Sequence, residues 1–439
     1  MAETKEEKAP GAPAGGAPSQ KGGQFGWYSE LNQRERLTYW ACFGGLGLDA
    51  MDSTIYALVL PTLIAVVGIS KPQAGIIASA FLIATAVGGA LGGMAADRFG
   101  RIRVLQITIL MVAGFTFLSA FTNSFSQLLC ARAIQGLGYG GEAAVGGVLI
   151  SETIAPRLRG RVASSVQSGY AIGYAISTAL MPFIFAHFSP DMAWRVFFAI
   201  GFLPAIFVMF IRRFVPDSDI FVEAAKKKKE SEAADNQLWE IFVPPHLKNT
   251  ITATLLSFGI FGGAYVLITW LPTYMRTVLN LRVSSTAGYL SLNILGSFVG
   301  PFLYGYLSDW IGRRKSFMIF LCCQATNVAI YMFAPINATT TLILGYFLGA
   351  LQGGLASGML PAFSELYPTR IRGTGQGFTL SVGRGFAAVV PGTVGVLAAT
   401  LPLGKAMGTC GLASYALALV AAYLLRETKG TDLRAPVTK

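Results

Sequence analysis

The chain has 439 residues, of which 53% are hydrophobic and 13% are charged, and its formal net charge is +12. Soluble domains average about 25% charged residues, so this chain has too few charges to cover several soluble domains of ordinary size. The composition therefore favours a chain with a lipid-facing surface. Two His residues and five Cys residues in apolar stretches offer little for a metal centre or a His-based catalytic site.

The predicted elements begin after a tail rich in Ala, Gly, Pro and Lys, in which we expect disorder and no cleavable signal peptide. A helix needs about 20 mostly apolar residues to cross a bilayer, and lipid offers the backbone no other hydrogen-bond partners. Twelve runs meet this length. They are residues 38–60, 74–96, 104–122, 126–150, 162–186, 194–213, 249–271, 286–308, 316–334, 340–364, 375–399 and 404–425.

One long polar stretch divides these runs into two sets of six. We therefore expect an all-α membrane protein whose twelve transmembrane helices form two six-helix bundles. The expected boundaries are a disordered cytoplasmic tail at 1–37, bundles at 38–213 and 249–426, a cytoplasmic linker at 214–248 and a cytoplasmic tail at 427–439. Lys226 to Lys229 in the linker suit contact with anionic headgroups.

The basic residues alternate along the chain. Of the 34 Lys and Arg residues, 27 lie in the two tails, in the linker and in the loops after the second, fourth, eighth and tenth runs. The positive-inside rule then predicts that both termini are cytoplasmic. The excess positive charge is thus a topology signal, and we expect no nucleic-acid partner.

The two sets of six runs resemble each other at a fixed offset. Gly93-x-x-x-Asp97-Arg98-x-Gly100-Arg101 follows the second run, and Gly305-x-x-x-Asp309-x-x-Gly312-Arg313-Arg314 follows the eighth, 212 residues later. At an offset of 213, Gly136, Gly140 and Gly141 match Gly349, Gly353 and Gly354. Two related halves with a site between them are typical of a rocking transporter.

The segment from Gly93 to Arg103 resembles the loop 2–3 signature of the major facilitator superfamily, and Arg132-Ala-Ile-Gln135-Gly136 resembles its fourth-span motif. The resemblance covers about residues 38–426. Within the superfamily, Trp27-Tyr28-x-x-Leu31-Asn32, Asp49-x-x-Asp52 and Gly138-x-Gly140-Gly141-Glu142 are similar to metabolite:proton symporters. That branch includes carriers of sialate, monocarboxylates and aromatic acids.

Charged residues at the loop ends form a second candidate group. Carboxylates and guanidiniums there can pair across the cytoplasmic mouth when it closes, or they can act as orientation signals and helix caps. The gating candidates are Asp97, Arg98, Arg101, Glu152, Arg159, Asp309, Arg313, Glu365 and Arg372.

Ionisable residues inside the runs cost about 2.5–3.5 kcal/mol each near the bilayer centre, so each is a functional candidate. Asp49 and Asp52 share one helix face, and two carboxylates in a poorly solvated site do not both ionise easily. We expect at least one to carry protons, although pairing with an Arg that merely holds helices together is the alternative. Glu142 is a candidate second protonation site. The resemblance implies a role in proton coupling for Arg132, which could also pair with an Asp of the first span.

Arg384 lies near the middle of the eleventh run, with no acidic residue in the other runs of its half. A buried cation without a partner is costly, and a guanidinium binds a carboxylate bidentately. We expect Arg384 to bind a substrate carboxylate; a pair with Asp49, Asp52 or Glu142 is the alternative. The other expected substrate-binding residues are Gln167, Tyr174, Tyr265, Asn293 and Gln352.

Together these features predict a monomeric, proton-coupled importer of a small organic anion in the lipid bilayer of a bacterial inner membrane. The expected substrate is a monocarboxylate or an aromatic acid. A drug or metabolite exporter by proton antiport and a sugar:proton symporter remain alternatives with the same fold. The chain has no Walker loop, metal-ligand spacing or catalytic dyad, so we expect no enzyme activity, cofactor or metal.

Overall fold

The computed structural model describes residues 26–154, 156–202, 239–244, 246–368 and 371–428, and the regular elements in these ranges are all helical. A short helix, α1 (Gly26–Ser29), precedes the spans. The first half holds α2 (Gln33–Thr62), α3 (Lys71–Phe99), α4 (Arg101–Ser119), α5 (Phe125–Thr153), α6 (Pro156–His187) and α7 (Pro190–Gly201). The second half holds α8 (His246–Thr277), α9 (Val283–Ile311), α10 (Arg313–Phe333), α11 (Ala338–Glu365), α12 (Arg372–Ala387), α13 (Val390–Leu397) and α14 (Leu403–Leu424).

Within the described ranges, ten segments are long and apolar enough to cross a membrane. The helices run a few residues beyond the predicted runs at most ends, because capping residues outside the apolar stretch begin them. Asn32 caps α2 and Ser70 caps α3, each in a capping box with the residue three positions later. A π-helical turn, Leu63–Val67, continues α2 at its far end. The part of the sixth run after Phe202 lies outside the described residues.

The two halves pack their helices in the same pattern. In the first half α3 packs on α5, α2 on α6, and α4 on both α5 and α7; in the second half α9 packs on α11, α8 on α12, and α10 on both α11 and α14. Each half is therefore a six-helix bundle of one topology, and α12 with α13 forms a single span. This is the twelve-helix arrangement of two pseudo-symmetric bundles that the sequence predicts.

Close helix contacts confirm the repeat residue by residue. A Cβ on Gly88 would lie 2.1 Å from the backbone oxygen of Leu137, and a Cβ on Gly300 would lie 1.8 Å from that of Ala350. Gly88 and Gly300 are 212 residues apart, and Leu137 and Ala350 are 213 apart. Only glycine permits this approach between α3 and α5, and between their counterparts α9 and α11.

The turns after the second and eighth spans repeat as well. Gly100 has φ 98° and ψ 147°, and Gly312 has φ 100° and ψ 163°. This backbone region is almost restricted to glycine, so both signature loops require it. The shared conformation explains why these two glycines stand at the same place in each motif.

The halves meet tightly at one end, which we call the closed end and define by α3 residues 71–79 against α13 residues 390–395. The Gly392 N–H donates to Ser79 Oγ at 2.9 Å. A Cβ on Gly75 would lie 2.7 Å from the Pro391 oxygen. At the same end Arg276 Nη1 donates to Thr62 Oγ1 at 3.0 Å, which ties α8 to α2.

The eleventh span is not one continuous helix, contrary to the run predicted over 375–399. It breaks at Ala388 and Val389, between α12 and α13. Pro391 lacks the N–H that would bond to the Ala387 carbonyl, and its ring does not fit a regular turn there. Instead, Trp270 Nε1 donates to the Pro391 oxygen at 3.2 Å. The break lies just beyond Arg384.

Candidate functional site

A buried polar network joins α2, α4 and α5 in the first half. Thr116 Oγ1 lies 2.9 Å from Asp52 Oδ1 and 2.7 Å from the Val112 backbone oxygen, so its one hydrogen has two acceptors. Gln135 Nε2 donates to Thr116 Oγ1 at 2.7 Å. Asp52 and Arg132 are each 1% exposed. The network therefore holds a carboxylate and a guanidinium away from water.

Arg132 reaches Asp52 through the backbone rather than through the carboxylate. Its Nη1 donates to Gln135 Oε1 at 2.7 Å and lies 3.5 Å from the Asp52 backbone oxygen. Its guanidinium lies over two rings, 4.9 Å from the Tyr56 centroid and 4.4 Å from that of Phe81. The rings stabilise the buried cation by cation–π attraction. A direct Arg132–Asp52 ion pair, one of the sequence expectations, is not formed in the described structure.

Asp49 of α2 and Glu142 of α5 are two further buried carboxylates of the first half. They are 1% and 3% exposed. Glu142 is within electrostatic range of Asp52, and Asp49 is within electrostatic range of Tyr139 and Tyr170. The predicted proton-coupling residues thus belong to one region of the first half.

Two tyrosines of the first half lie near Asp49 and Ser53 of α2. Tyr139 belongs to α5 and Tyr170 to α6, and the Ser53 hydroxyl donates to the Asp49 backbone oxygen at 2.5 Å. The Tyr139 ring stands edge-on to Phe81, with centroids 5.4 Å apart. Both tyrosines lie within electrostatic range of Arg384 in the other half. The two tyrosines therefore lie on the side of the first half that is nearest to Arg384.

Arg384 stands on α12 of the second half. Its Nε donates to the Tyr265 hydroxyl at 2.8 Å, and its guanidinium lies 5.7 Å from the Phe261 ring centroid. Phe261 and Tyr265 stack one turn apart on α8, with centroids 6.0 Å apart. Among the residues that the structure describes, no carboxylate pairs with Arg384, and its two Nη groups form no hydrogen bond. With both Nη groups left over and an aromatic ring below it, this guanidinium can donate two parallel hydrogen bonds to a planar carboxylate.

The remaining predicted substrate residues differ in position. Tyr174 is half-buried and lies one turn from Tyr170 on α6. Asn293 Nδ2 donates to the Gly345 oxygen at 3.0 Å, which ties α9 to α11. Gln352 donates to the Ile260 oxygen and accepts from the Tyr415 hydroxyl at 2.7 Å, so it joins three helices. The side chain of Gln167 lies outside the described residues.

Three of the predicted gating residues of the second half, Asp309, Arg313 and Glu365, form one charged group. Arg313 pairs with Asp309 at 2.6 Å and with Glu365 at 3.3 Å. Its backbone N–H donates to Glu427 Oε1 at 2.9 Å, and the Thr428 hydroxyl donates to Glu365. These contacts join the ends of α9, α10 and α11 to the segment after α14. They lie within the second half rather than across the mouth.

Of the other gating candidates, only Arg98 and Arg372 have side chains that the structure describes. Arg98 lies over the ring of the neighbouring Phe99, at 5.5 Å from its centroid. Arg372 begins α12 and is half-buried. The side chains of Asp97, Arg101, Glu152 and Arg159 lie outside the described residues.

Sequence reasoning missed Thr116, Gln135 as a network member, Ser53 and Tyr139. A threonine or serine in an apolar helix ordinarily bonds to a carbonyl of its own helix, and both Thr116 and Ser53 do this as well. The sequence spacing of Thr116 and Ser53 therefore does not indicate a functional role. Gln135 lies one turn after Arg132, and this i, i+3 pairing could have pointed to it.

Two pseudo-symmetric membrane bundles with buried charges facing each other define a membrane transporter that alternates about a central site. The profile of the major facilitator superfamily matches residues 42–392, and the chain belongs to this superfamily. It is therefore a multi-pass transport protein and not an enzyme.

Similar proteins cover nearly the whole chain. It is 37% identical over 408 residues to a protein of Cupriavidus pinatubonensis described as a probable 4-methylmuconolactone transporter, a match that covers 92% of this chain and 94% of that protein. It is 27% identical over 412 residues to the cis,cis-muconate transport protein of Acinetobacter baylyi, covering 90% and 97%. An inward-open structure of the xylose transporter of E. coli superposes with a TM-score of 0.72 at 19% identity, covering 91% and 98%. This last likeness concerns the fold alone.

Proposed function

We propose that the protein takes up a small organic acid, bound through its carboxylate, in symport with protons. The observation that carries the proposal is Arg384, a guanidinium in the space between the halves with no carboxylate partner in the described structure. A bound carboxylate supplies the missing anion. The relatives described as a probable 4-methylmuconolactone transporter and a cis,cis-muconate transport protein support this class of substrate.

The proton site belongs to the first half in this proposal. When Asp52 is ionised, the Thr116 hydroxyl donates to it; when Asp52 is protonated, the same hydrogen turns to the Val112 oxygen. Gln135 keeps its bond to Thr116 in either arrangement. The network thus accepts both protonation states of Asp52 while the Thr116 hydroxyl and the Gln135 amide each keep a partner. Asp49 and Glu142 are the further carboxylates from which protons pass to it.

In this proposal the loop charges set the orientation of the protein in the membrane. Cytoplasmic termini put the closed end on the outer side, so the site between the halves is then reached from the cytoplasm. An inward proton gradient drives an anion inward when one or more protons travel with it. We further propose a monomer in a bacterial inner membrane, with bundles at 38–213 and 249–426, the linker at 214–248 and tails at 1–37 and 427–439.

The exporter and sugar alternatives receive less support. A lipophilic cation has no reason to enter a site whose second-half wall carries an unpaired guanidinium. A sugar needs many free amide donors and acceptors, whereas Asn293 and Gln352 are engaged in bonds between helices. The likeness to a xylose transporter rests on the fold.

The test uses purified protein in proteoliposomes with a pH-sensitive dye inside. Benzoate, 4-hydroxybenzoate, muconolactone and xylose are added outside at neutral pH. We expect an acid, and not xylose, to acidify the lumen. Arg384→Gln should abolish this signal, while Arg282→Gln, the same change at an exposed residue before α9, should leave it intact. Acidification by xylose, or full activity of Arg384→Gln, would remove the basis of the proposal.

A second experiment separates substrate binding from proton coupling. Asp52→Asn should retain the exchange of labelled acid between the two sides and lose its accumulation against a gradient. If Asp52→Asn still accumulates the acid with a pH gradient as the sole driving force, the proton does not travel on Asp52.

A further inference from the structure

Arg276 lies at the seam between the halves at the closed end. It stands near the end of α8, in the second half, yet its side-chain hydrogen bond and its ring contact both go to the first half. Its Nη1 donates to Thr62 Oγ1 of α2 at 3.0 Å, and its guanidinium lies 5.5 Å from the ring centroid of Phe185 on α6. Among the residues that the structure describes, no carboxylate pairs with it. Separation of the halves at this end therefore leaves this cation of α8 with neither contact.

A polar stripe on α8 runs inward from Arg276. Its members follow one another at spacings of four, four and three residues, which places them on one face of the helix. In order toward the closed end they are Tyr265, Thr269, Thr273 and Arg276. The stripe begins at the hydroxyl that accepts from Arg384 Nε at 2.8 Å, and it ends about 16 Å further along the axis, at a rise of about 1.5 Å per residue. It therefore joins the closed end to the cation of the proposed substrate site.

One member of the stripe has an unused hydroxyl. Thr273 is fully buried, and its Oγ1 has no hydrogen-bond partner among the described residues. A threonine in a helix ordinarily bonds to a carbonyl of the preceding turn, and a buried hydroxyl without a partner is costly. Water or a ligand that enters when the halves part would supply the partner. Thr273 and Arg276, one turn apart, then present a hydroxyl and a cation side by side.

Basic residues dominate this end of the molecule. The connecting segments here, together with the first or last six residues of the helices that they join, hold five basic residues and one acidic residue, Asp191. The basic residues are Lys71, Arg195, Arg276, Arg282 and Lys405. A mouth lined by one sign of charge concentrates ions of the opposite sign. Anions are thus drawn to this end, and Arg276 lies where the halves part.

We propose that Arg276, with the Thr273 hydroxyl beside it, is a second binding site for the carboxylate of the substrate, occupied from outside before the acid reaches Arg384. The inference rests on the proposed function and adds an entry site to it. In the closed arrangement Thr62 and Phe185 hold the guanidinium; on opening, a carboxylate takes their place. The threonines of the stripe then lead inward to Arg384.

The test measures the charge preference of the stripe without using transport. Thr273→Cys is introduced into the full chain in intact cells, in a background without the five native cysteines. Two membrane-impermeant methanethiosulfonates are added outside, one with an anionic sulfonate and one with a cationic trimethylammonium group, and mass spectrometry follows the modified fraction. Arg276→Gln should lower the ratio of the anionic to the cationic rate about tenfold, the effect of one unit charge a turn away in water on reagents of opposite sign.

Matched variants separate the charge from the bond. Thr62→Val loses the same hydrogen bond and keeps the cation, so both rates should rise together while their ratio stays. Arg276→Lys keeps the charge and should also keep the ratio. Thr269→Cys, one turn deeper on the stripe, is a second reporter and should show the same change with a smaller amplitude.

Protection by benzoate tests whether the site is occupied. Benzoate outside should slow the modification of Thr273→Cys by the anionic reagent. Arg276→Gln should abolish this protection, whereas Arg384→Gln should retain it, because the entry site does not depend on the central cation.

The results that overturn the inference differ from those that overturn the proposed function. Arg276 is no entry site if its Gln variant keeps the rate ratio, or if neither cysteine reacts from outside even in Thr62→Val. Benzoate protection that is absent from the parent, or lost in Arg384→Gln, also contradicts the inference, and in each of these cases the Arg384 site stands. If instead Arg384→Gln keeps full uptake, the proposed function fails, and with it the substrate role of the Arg276 site.

Discussion

Thr62→Val tests how the closed end is held. This change keeps the shape of the side chain and removes the oxygen that accepts from Arg276 at 3.0 Å. The bond ties α2 to α8, so it exists only while this end is closed. Arg276 is part-buried and also lies over the Phe185 ring at 5.5 Å, a contact that the substitution leaves in place.

The magnitude follows from the kind of bond. A hydrogen bond with a charged donor contributes about 1.5–3 kcal/mol, and the lower figure applies at a helix end that water can reach. A loss of about 1.5 kcal/mol lowers the ratio of closed to open molecules about tenfold. A population that is about nine-tenths closed then becomes about half closed. Ser79→Ala removes a neutral acceptor from the Gly392 N–H and should lower the ratio less, about fivefold.

The assay is pulsed electron–electron distance measurement between spin labels at Lys71→Cys and Ala399→Cys, in a background without the five native cysteines. Thr62→Val should show a longer distance population that is small or absent in the parent, and Ser79→Ala a smaller one. Thr62→Ser keeps the hydroxyl and should match the parent. An unchanged distribution in Thr62→Val would mean that this end closes without help from the Arg276 bond.

Two further predictions concern coupling and packing. Thr116→Val removes the hydroxyl that serves both Asp52 and Gln135, so accumulation of acid driven by a pH gradient should fall about tenfold while exchange persists, with Thr116→Ser close to the parent. Gly300→Ala places a methyl group 1.8 Å from the Ala350 oxygen and should lower the thermal midpoint in detergent by several degrees, whereas Gly305→Ala, with nothing within 4 Å, should not. Equal midpoints for the two glycine variants would contradict the packing argument.

The twelve-helix fold could be predicted from the sequence because apolar length and loop charge each report on it independently. The internal repeat also predicts helix packing, since its glycines identify the helix pairs that pack most closely. Gly136 and Gly349 match at an offset of 213, and each meets a backbone oxygen of its partner helix, that of Phe81 and that of Asn293. Close packing between helices demands glycine, so the sequence records it directly.

The break in the eleventh span was equally present in the sequence, as Pro391, but hydropathy does not respond to it. A run of apolar residues stays apolar through a kink, so the prediction over 375–399 was too regular. The roles of single polar residues were still harder to predict from the sequence. From the sequence alone, Asn293 and Gln352 look like substrate-binding residues. In the structure, both donate hydrogen bonds to backbone oxygens of neighbouring helices. Only the relative rotation of the helices decides which polar groups face the gap.

The unequal distribution of charge suggests how the two fluxes are coupled. A half that swings from one side of the membrane to the other must carry its exposed charges through a closed, poorly solvated state, which is costly for an unpaired ion. In the proposed mechanism the anionic substrate neutralises Arg384 in one half, and protons neutralise Asp52 and the nearby Asp49 or Glu142 in the other. Either ligand alone leaves one half charged, so the closed state is reached readily when both ligands are bound. Coupling then follows from burying charge, and it requires that the proton sites and the substrate cation belong to different halves, as Asp49 and Arg384 do.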